Sequence, residues 1–168
     1  SLRQFIAFKN SGLATPTAIG PVPAQDLHAT PLPTDLVIVV PEQYLGEATR
    51  LAQHRAEEGL VVQVATTQQV FNEFSSGQRD ATAIKRYMKM LYDRAGTDSL
   101  LLPRYLLLFG DGSYDNLSLA PSNQNLVPTY QSANSWTLDK SYTTDDYFVM
   151  LDDAEGEAVN DAIDMGVG

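Results

Sequence analysis

The chain has 168 residues, 43% of them hydrophobic and 19% charged, with no cysteine, two histidines and a net charge of −10. That is enough length and apolar content for one domain with its own core, and no apolar run approaches the roughly 20 residues of a membrane-spanning helix. Without cysteine there is no disulfide scaffold, thiolate metal site or thiol nucleophile within these residues, and the acidic balance opposes nucleic acid and anionic membrane.

Residues 1–34 are rich in proline (Pro16, Pro21, Pro23, Pro31 and Pro33), and only residues 3–8 have strand character. This reads as a lead-in strand and an ordered connector. The opening apolar stretch is too short for a signal peptide and lacks a small-residue cleavage site. The expectation is a cytosolic chain, or a piece of a longer protein whose signal lies upstream.

The globular pattern starts at Asp35, so 35–168 is one α/β unit. Residues 36–40 form a β-branched buried strand stopped by Pro41. Residues 44–58 have helical spacing, with Leu45, Ala48, Leu51, Ala52 and Ala56 on one side and Gly59 ending the helix. A strand over 60–65 completes a βαβ unit, which implies parallel pairing. Thr67 caps a short helix through Phe74, stopped by Ser75-Ser76-Gly77. Asp80 caps a helix over 81–95 whose stripe is Ile84, Tyr87, Met88, Leu91 and Ala95. Lys85, Arg86 and Lys89 lie off that stripe, as a solvated face or as a face for phosphate or an acidic partner.

Residues 105–109, Tyr-Leu-Leu-Leu-Phe, have no polar alternation, so both faces must be covered, as in a central parallel strand. The strand ends in Gly110-Asp111-Gly112-Ser113, at the edge where ligands gather in open α/β sheets. A long Ser/Asn/Pro-rich loop over 110–141 holds Tyr114, Tyr130 and Trp136. Its length points to function or partial disorder. Residues 147–151 read as a strand, 152–157 as an acidic hairpin turn, and 162–167 as a last strand. The fold class is α/β, a mostly parallel sheet flanked by helices.

The charge is uneven. Residues 1–110 carry ten acids and ten Lys/Arg, while 111–168 carry eleven acids and one base, Lys140. Such a region is either a solubilising surface or a field for calcium, basic side chains or a basic neighbouring domain.

Four candidate sites follow. Asp111 directly follows a buried strand, where nucleophilic and metal-holding carboxylates sit, although the strands at 36–40 and 60–65 end without the partner carboxylates and lysine that phosphotransfer needs. A turn-forming aspartate is the alternative. Ser113 lies outside a G-x-S-x-G elbow, and the glycine spacing fits neither a dinucleotide fingerprint nor a Walker loop. Asp145 and Asp146 are adjacent carboxylates that repel, a pair favoured by a cation, a basic substrate side chain or simple exposure. At a strand start they point to opposite faces. Asp152, Asp153, Glu155 and Glu157 are an acidic group without EF-hand spacing. His28 and His54 read as structural histidines.

Seven phrases in order carry a family resemblance: Gln25-Asp-Leu-His28, Asp35-Leu-Val-Ile-Val-Val-Pro41, Phe71-Asn-Glu-Phe-Ser-Ser-Gly77, Asp80-Ala-Thr-Ala-Ile84, Tyr105-Leu-Leu-Leu-Phe-Gly-Asp-Gly-Ser-Tyr-Asp115, Val127-Pro-Thr-Tyr-Gln-Ser132 and Asp145-Asp-Tyr-Phe148. The chain resembles the gingipain-type cysteine peptidases, and among them the sortase branch of the type IX secretion system. The resemblance implies a caspase-like α/β domain of which this is the amino-terminal subdomain, incomplete at its carboxyl end. The Cys–His dyad would lie downstream, leaving no catalytic residue here and the chain inactive by itself.

The resemblance further implies an acid in the substrate pocket, with Asp145 the first choice and Asp146 the second. It also implies calcium binding in the domain, for which Asp152, Asp153 and Glu155 are the candidates. The implied partners are the downstream half of the catalytic domain, secreted cargo proteins and type IX secretion components, at the bacterial outer membrane or cell surface. The rival readings are a non-catalytic binding module using the 110–141 loop, and a phosphotransfer or hydrolase enzyme centred on Asp111.

Overall fold

The computed structural model describes residues 20–116, 124–132, 141–156 and 161–168, together with 9, 12–15, 17, 136 and 137. The lead-in strand expected over 3–8, Lys140 and Glu157 lie outside the described residues.

Four parallel strands form the main sheet in the order β2-β1-β3-β6: β1 Leu36–Val40, β2 Val62–Thr66, β3 Tyr105–Leu108 and β6 Gly166–Val167. The all-apolar run of β1 is explained by its central place. Val37 and Val39 face one core, Leu36, Ile38 and Val40 face the other, and all five are buried. Helix α1 (Leu45–Glu57) covers the second face through Ala48, Leu51 and Ala52. The chain then returns across β1 with α2 (Thr67–Phe74) and α3 (Ala81–Ala95) on the first face. The stripe read from the sequence is the buried face of α3: Ile84, Tyr87, Met88 and Leu91 are 0% exposed.

Local signals set the helix ends. Thr66, one residue before the expected cap, closes a capping box on α2: its hydroxyl accepts the Gln69 N–H and the Gln69 side chain accepts the Thr66 N–H. Both otherwise orphaned donors are thereby satisfied. Asp80 caps α3 through the Thr82 N–H.

Three expectations are corrected. Residues 147–151 are not a strand. Asp146–Val149 is a 3-10 turn whose Tyr147, Phe148 and Val149 are all buried, packed against α3. A short apolar run signals burial without deciding between helix and strand, and here Asp164 supplies the backbone partners a ladder would have given. Its carboxylate accepts the Leu151 N–H (2.6 Å) and its own N–H donates to the Val149 carbonyl (2.9 Å).

The last strand is shorter than expected, only Gly166–Val167, paired with Tyr105 and Leu106 of β3. The acidic segment at 152–155 is a turn but not a hairpin turn, because a 3-10 turn and not a strand precedes it and the strand that follows pairs with β3. The 110–141 stretch contributes a further element, the antiparallel pairing of β4 (Tyr130–Gln131) with β5 (Thr143–Thr144).

Candidate active-site cleft at the carboxyl edge of the sheet

A cleft of about 440 Å³ opens at the carboxyl end of β3. It is lined by Leu108, the Gly110-Asp111-Gly112 turn, Val127 to Thr129, Thr143 to Asp145, and Gly168. Two of the candidate acids, Asp111 and Asp145, stand on its walls; Asp146 and Ser113 do not line it.

The glycines around Asp111 are there because the 127–129 segment lies directly on the turn. A Cβ on Gly112 would stand 2.6 Å from Thr129 Cγ2 and 3.1 Å from the Val127 carbonyl, and one on Gly110 would stand 3.0 Å from Val127 Cγ2. Hydrogen bonds lace the two segments together. The N–H groups of Leu126 and Val127 donate to the Asp111 carbonyl (2.9 and 3.0 Å), and Thr129 Oγ1 donates to the Ser113 carbonyl (2.7 Å). The Ser113 hydroxyl accepts the Asp115 N–H (3.1 Å), so it shapes the turn.

The opposite wall is the end of β5. Asp145 precedes the 3-10 turn, and the Phe148 N–H donates to its carbonyl (3.0 Å). Partial desolvation, and secondarily repulsion from Asp146, hold the Asp145 carboxyl above its ordinary value. Tyr147, two residues on, is clamped on three sides. It stacks on Tyr130 (centroids 3.6 Å apart, 6° between planes), its hydroxyl meets Thr82 Oγ1 (3.2 Å), and Lys85 Nζ lies 4.7 Å from its ring centroid. Lys85 also donates to the Glu155 carbonyl (3.1 Å), and burial pulls its ammonium below the ordinary value.

The basic face of α3 therefore meets an acidic partner within the same chain. Lys89 pairs with Asp93 and Asp153, each at 2.8 Å, which raises its ammonium well above the usual lysine range. That contact takes Asp153 away from the other calcium candidates. Asp152 and Glu155 gather instead with Asp164, their oxygens within 4.8 Å of one another. Each already has an internal donor: the Tyr92 hydroxyl, the Asp152 N–H and the Leu151 N–H respectively.

Neither histidine lines the cleft. His28 Nδ1 is 2.7 Å from Glu73 Oε2 and its ring stacks on Phe74. His54 stands exposed on α1, 3.5 Å from Glu58. A second concavity of about 530 Å³, beside the first residues of β1 and β3, is walled mainly by Leu51, Leu60, Tyr105 and Leu107 and brings no acids or nucleophiles together.

The sequence and the fold match known proteins. The model of Peptidase family C25 matches residues 29–168. The chain belongs to peptidase family C25. This is the gingipain family to which the seven phrases pointed, and its caspase-like α/β fold is the one described above. The crystal structure of dimeric latent PorU from Porphyromonas gingivalis is 42% identical, with a TM-score of 0.81, covering 94% of this chain and 16% of that one. A chain described as a protease structure shares the fold at 17% identity and TM-score 0.50, covering 75% of this chain and 23% of that one. No curated protein matches. The chain thus spans about a sixth of the PorU chain it resembles. No helix among the described residues is long and apolar enough to cross a membrane.

Sequence reasoning missed Arg79, Asn125 and Asp164. Asn125 sits in a Ser/Asn/Pro-rich stretch where nothing marks one asparagine as buried, yet it is 4% exposed. Its signal was indirect, two residues upstream of the Val127-Pro-Thr-Tyr130 phrase.

Proposed function

We propose that this chain is the amino-terminal part of the catalytic domain of a bacterial cell-surface cysteine peptidase of the sortase type. It would remove carboxyl-terminal sorting signals from proteins secreted by the type IX route. The observation that carries the reading is the 42% identity with PorU over 94% of the chain, supported by the cleft at the strand edge where α/β enzymes bind substrate.

Hydrolysis of this class needs a thiolate, an imidazole and oxyanion donors. The thiolate attacks the scissile carbonyl, a tetrahedral oxyanion collapses to a thioester as the amine leaves with a proton, and water or another amine takes the acyl group. With no cysteine in the chain, the nucleophile belongs to residues outside these 168. What this part supplies is the sheet, the two cleft walls that carry Asp111 and Asp145, and in Asp145 an acid for the substrate.

Asp145 is that acid, receiving a cationic substrate side chain. Its raised carboxyl pKa gives a sign: affinity for a basic substrate improves as pH rises through that value and the group ionises.

The test uses the full-length protein carrying this chain and a secreted cargo protein with its sorting domain. Cleavage is expected and is abolished by iodoacetamide, while the 168-residue chain alone cleaves nothing. Turnover by the isolated chain, or full activity after alkylation, refutes the assignment.

A further inference from the structure

Asn125, 4% exposed, is among the few fully buried polar side chains of the described residues, and its side-chain oxygen and nitrogen are both in use. Its Oδ1 accepts the Ser113 N–H (3.2 Å), and its Nδ2 donates to Asn116 Oδ1 (3.2 Å) and to the Asp115 carbonyl (3.4 Å). Its main-chain carbonyl accepts from Arg79 Nη2. Arg79 immediately precedes Asp80, the N-cap of α3, and although the residue is exposed, partial desolvation holds its guanidinium below the ordinary arginine value. The loop held in this way is the one that carries Asp111, already bonded through its carbonyl to Leu126 and Val127. Neither Arg79 nor Asn125 lines the cleft.

We propose that Arg79 and Asn125 form a positioning clasp: it fixes the loop from Gly110 to Asp115, and with it the Asp111 wall, against the start of α3, so that substrate fit depends on two residues that touch no substrate. The consequence for substrate rests on the peptidase reading above. The clasp itself rests on the geometry alone.

The arrangement has the features of preorganisation. Asp111 is exposed and sits between two glycines, so little within its own turn restricts it. Its placement comes from outside, through three successive donors or acceptors on 125–127 and one on Thr129. A displacement of the order of an ångström in such a wall is enough to change substrate fit by tenfold or more.

The experiment takes the full-length protein as wild type, Asn125→Ala, Arg79→Ala, the double variant and Arg79→Lys. It follows amide hydrogen exchange across residues 110–116, and KM and kcat on fluorogenic peptides with Arg, Lys or Ala before the scissile bond. Asn125→Ala is expected to speed exchange at Ser113 and raise KM about tenfold, with kcat within about twofold. The double variant should be no worse than either single one, as for two parts of one device, and Arg79→Lys should recover much of the loss. Unchanged exchange, faster exchange with unchanged KM, or additive effects overturn the clasp. Should Asn125→Ala fail to fold, Arg79→Ala carries the same two readouts. If the wild type cleaves neither peptide nor cargo, the peptidase reading falls and the exchange data alone decide the clasp.

Discussion

Glu73 is the point from which the connector preceding the domain hangs, and replacing it gives the sharpest test of the packing argument. Its carboxylate is largely buried, with 14% of the side chain exposed. It accepts the Leu27 N–H on both oxygens (2.8 and 2.9 Å), the Gln25 side-chain amide (2.8 Å) and the His28 N–H (3.2 Å), beside the His28 ring contact. In Glu73→Ala the Gln25 amide keeps its bonds to the Gln69 carbonyl and the Asn72 amide, and the exposed His28 side chain turns to water, so their loss costs little. The Leu27 N–H belongs to a residue 6% exposed and is left without its acceptor, a penalty of about 1–3 kcal/mol. Adding loss of the charge-assisted bonds gives roughly 2–4 kcal/mol, or about 5–15 °C in Tm for a domain of this size.

The pH dependence has a definite sign. Burial pushes the Glu73 carboxyl up, but the hydrogen bonds from Leu27, Gln25 and His28 outweigh it and the net value is lowered. The unfolded chain therefore binds the proton more tightly, and the stabilisation is complete above the ordinary glutamate value, about 4.3. It is lost as pH falls from there through the depressed folded value. Circular-dichroism melts of wild type, Glu73→Ala and Glu73→Gln at pH 7 and near pH 3 check this. The gap between wild type and variants should be wide at neutral pH and narrow in acid. A Glu73→Ala chain that melts within about 1 °C of wild type at pH 7, or a gap that widens in acid, refutes the reasoning.

Gly112→Ala places a methyl group against Thr129 and the Val127 carbonyl, and should lose about 1–3 kcal/mol in urea unfolding; an unchanged midpoint would show that the 127–129 segment does not lie on the turn. Asp145→Asn should melt at or above wild type at pH 7. An acid whose folded pKa is raised contributes stability only below its ordinary value and loses it as pH rises through the folded one, so a lower melting temperature contradicts the desolvated carboxyl. Lys85→Ala strips the cation from the Tyr147 ring and the donor from the Glu155 carbonyl. A loss of about 1–2 kcal/mol is expected, and a neutral result would mean that the Tyr130 stack and the Thr82 hydroxyl hold the turn without the cation.

Legibility in the sequence followed the strength of local signals. The β-branched run of β1 and the heptad-like stripe of α3 each have a single solution, and the structure adopts both. The 147–151 run had two, because five apolar residues announce burial without a period. What decided for a turn was Asp164, thirteen residues from Leu151 in sequence. The Gly110-Asp111-Gly112 turn was legible as a strand end, but the need for glycine there lies in Thr129 and Val127, which no local pattern connects to it. Asp145 and Asp146 were expected to part company by strand alternation. Only Asp145 reaches the cleft, but because the chain turns into a 3-10 helix there, so the side chains diverge by a different geometry.

Helix α3 explains why the two cleft walls hold a common register. Its buried stripe is fixed in the core by Ile84, Tyr87, Met88 and Leu91. Arg79, at its start, grips Asn125 and through it the Asp111 loop, while Lys85, on its second turn, grips Tyr147 beside Asp145. The β4–β5 pairing and the Tyr130–Tyr147 stack join the two walls directly, and α3 braces both of them from the core side. Burial makes the support stiff: the core side of α3 cannot rotate without opening voids, at a cost of several kcal/mol for residues of that size. A change in the core face of α3, such as Met88→Ala, should therefore disturb both walls together. Exchange at Ser113 and at Phe148 would rise in parallel, whereas independent responses would show that each wall is carried by its own loop.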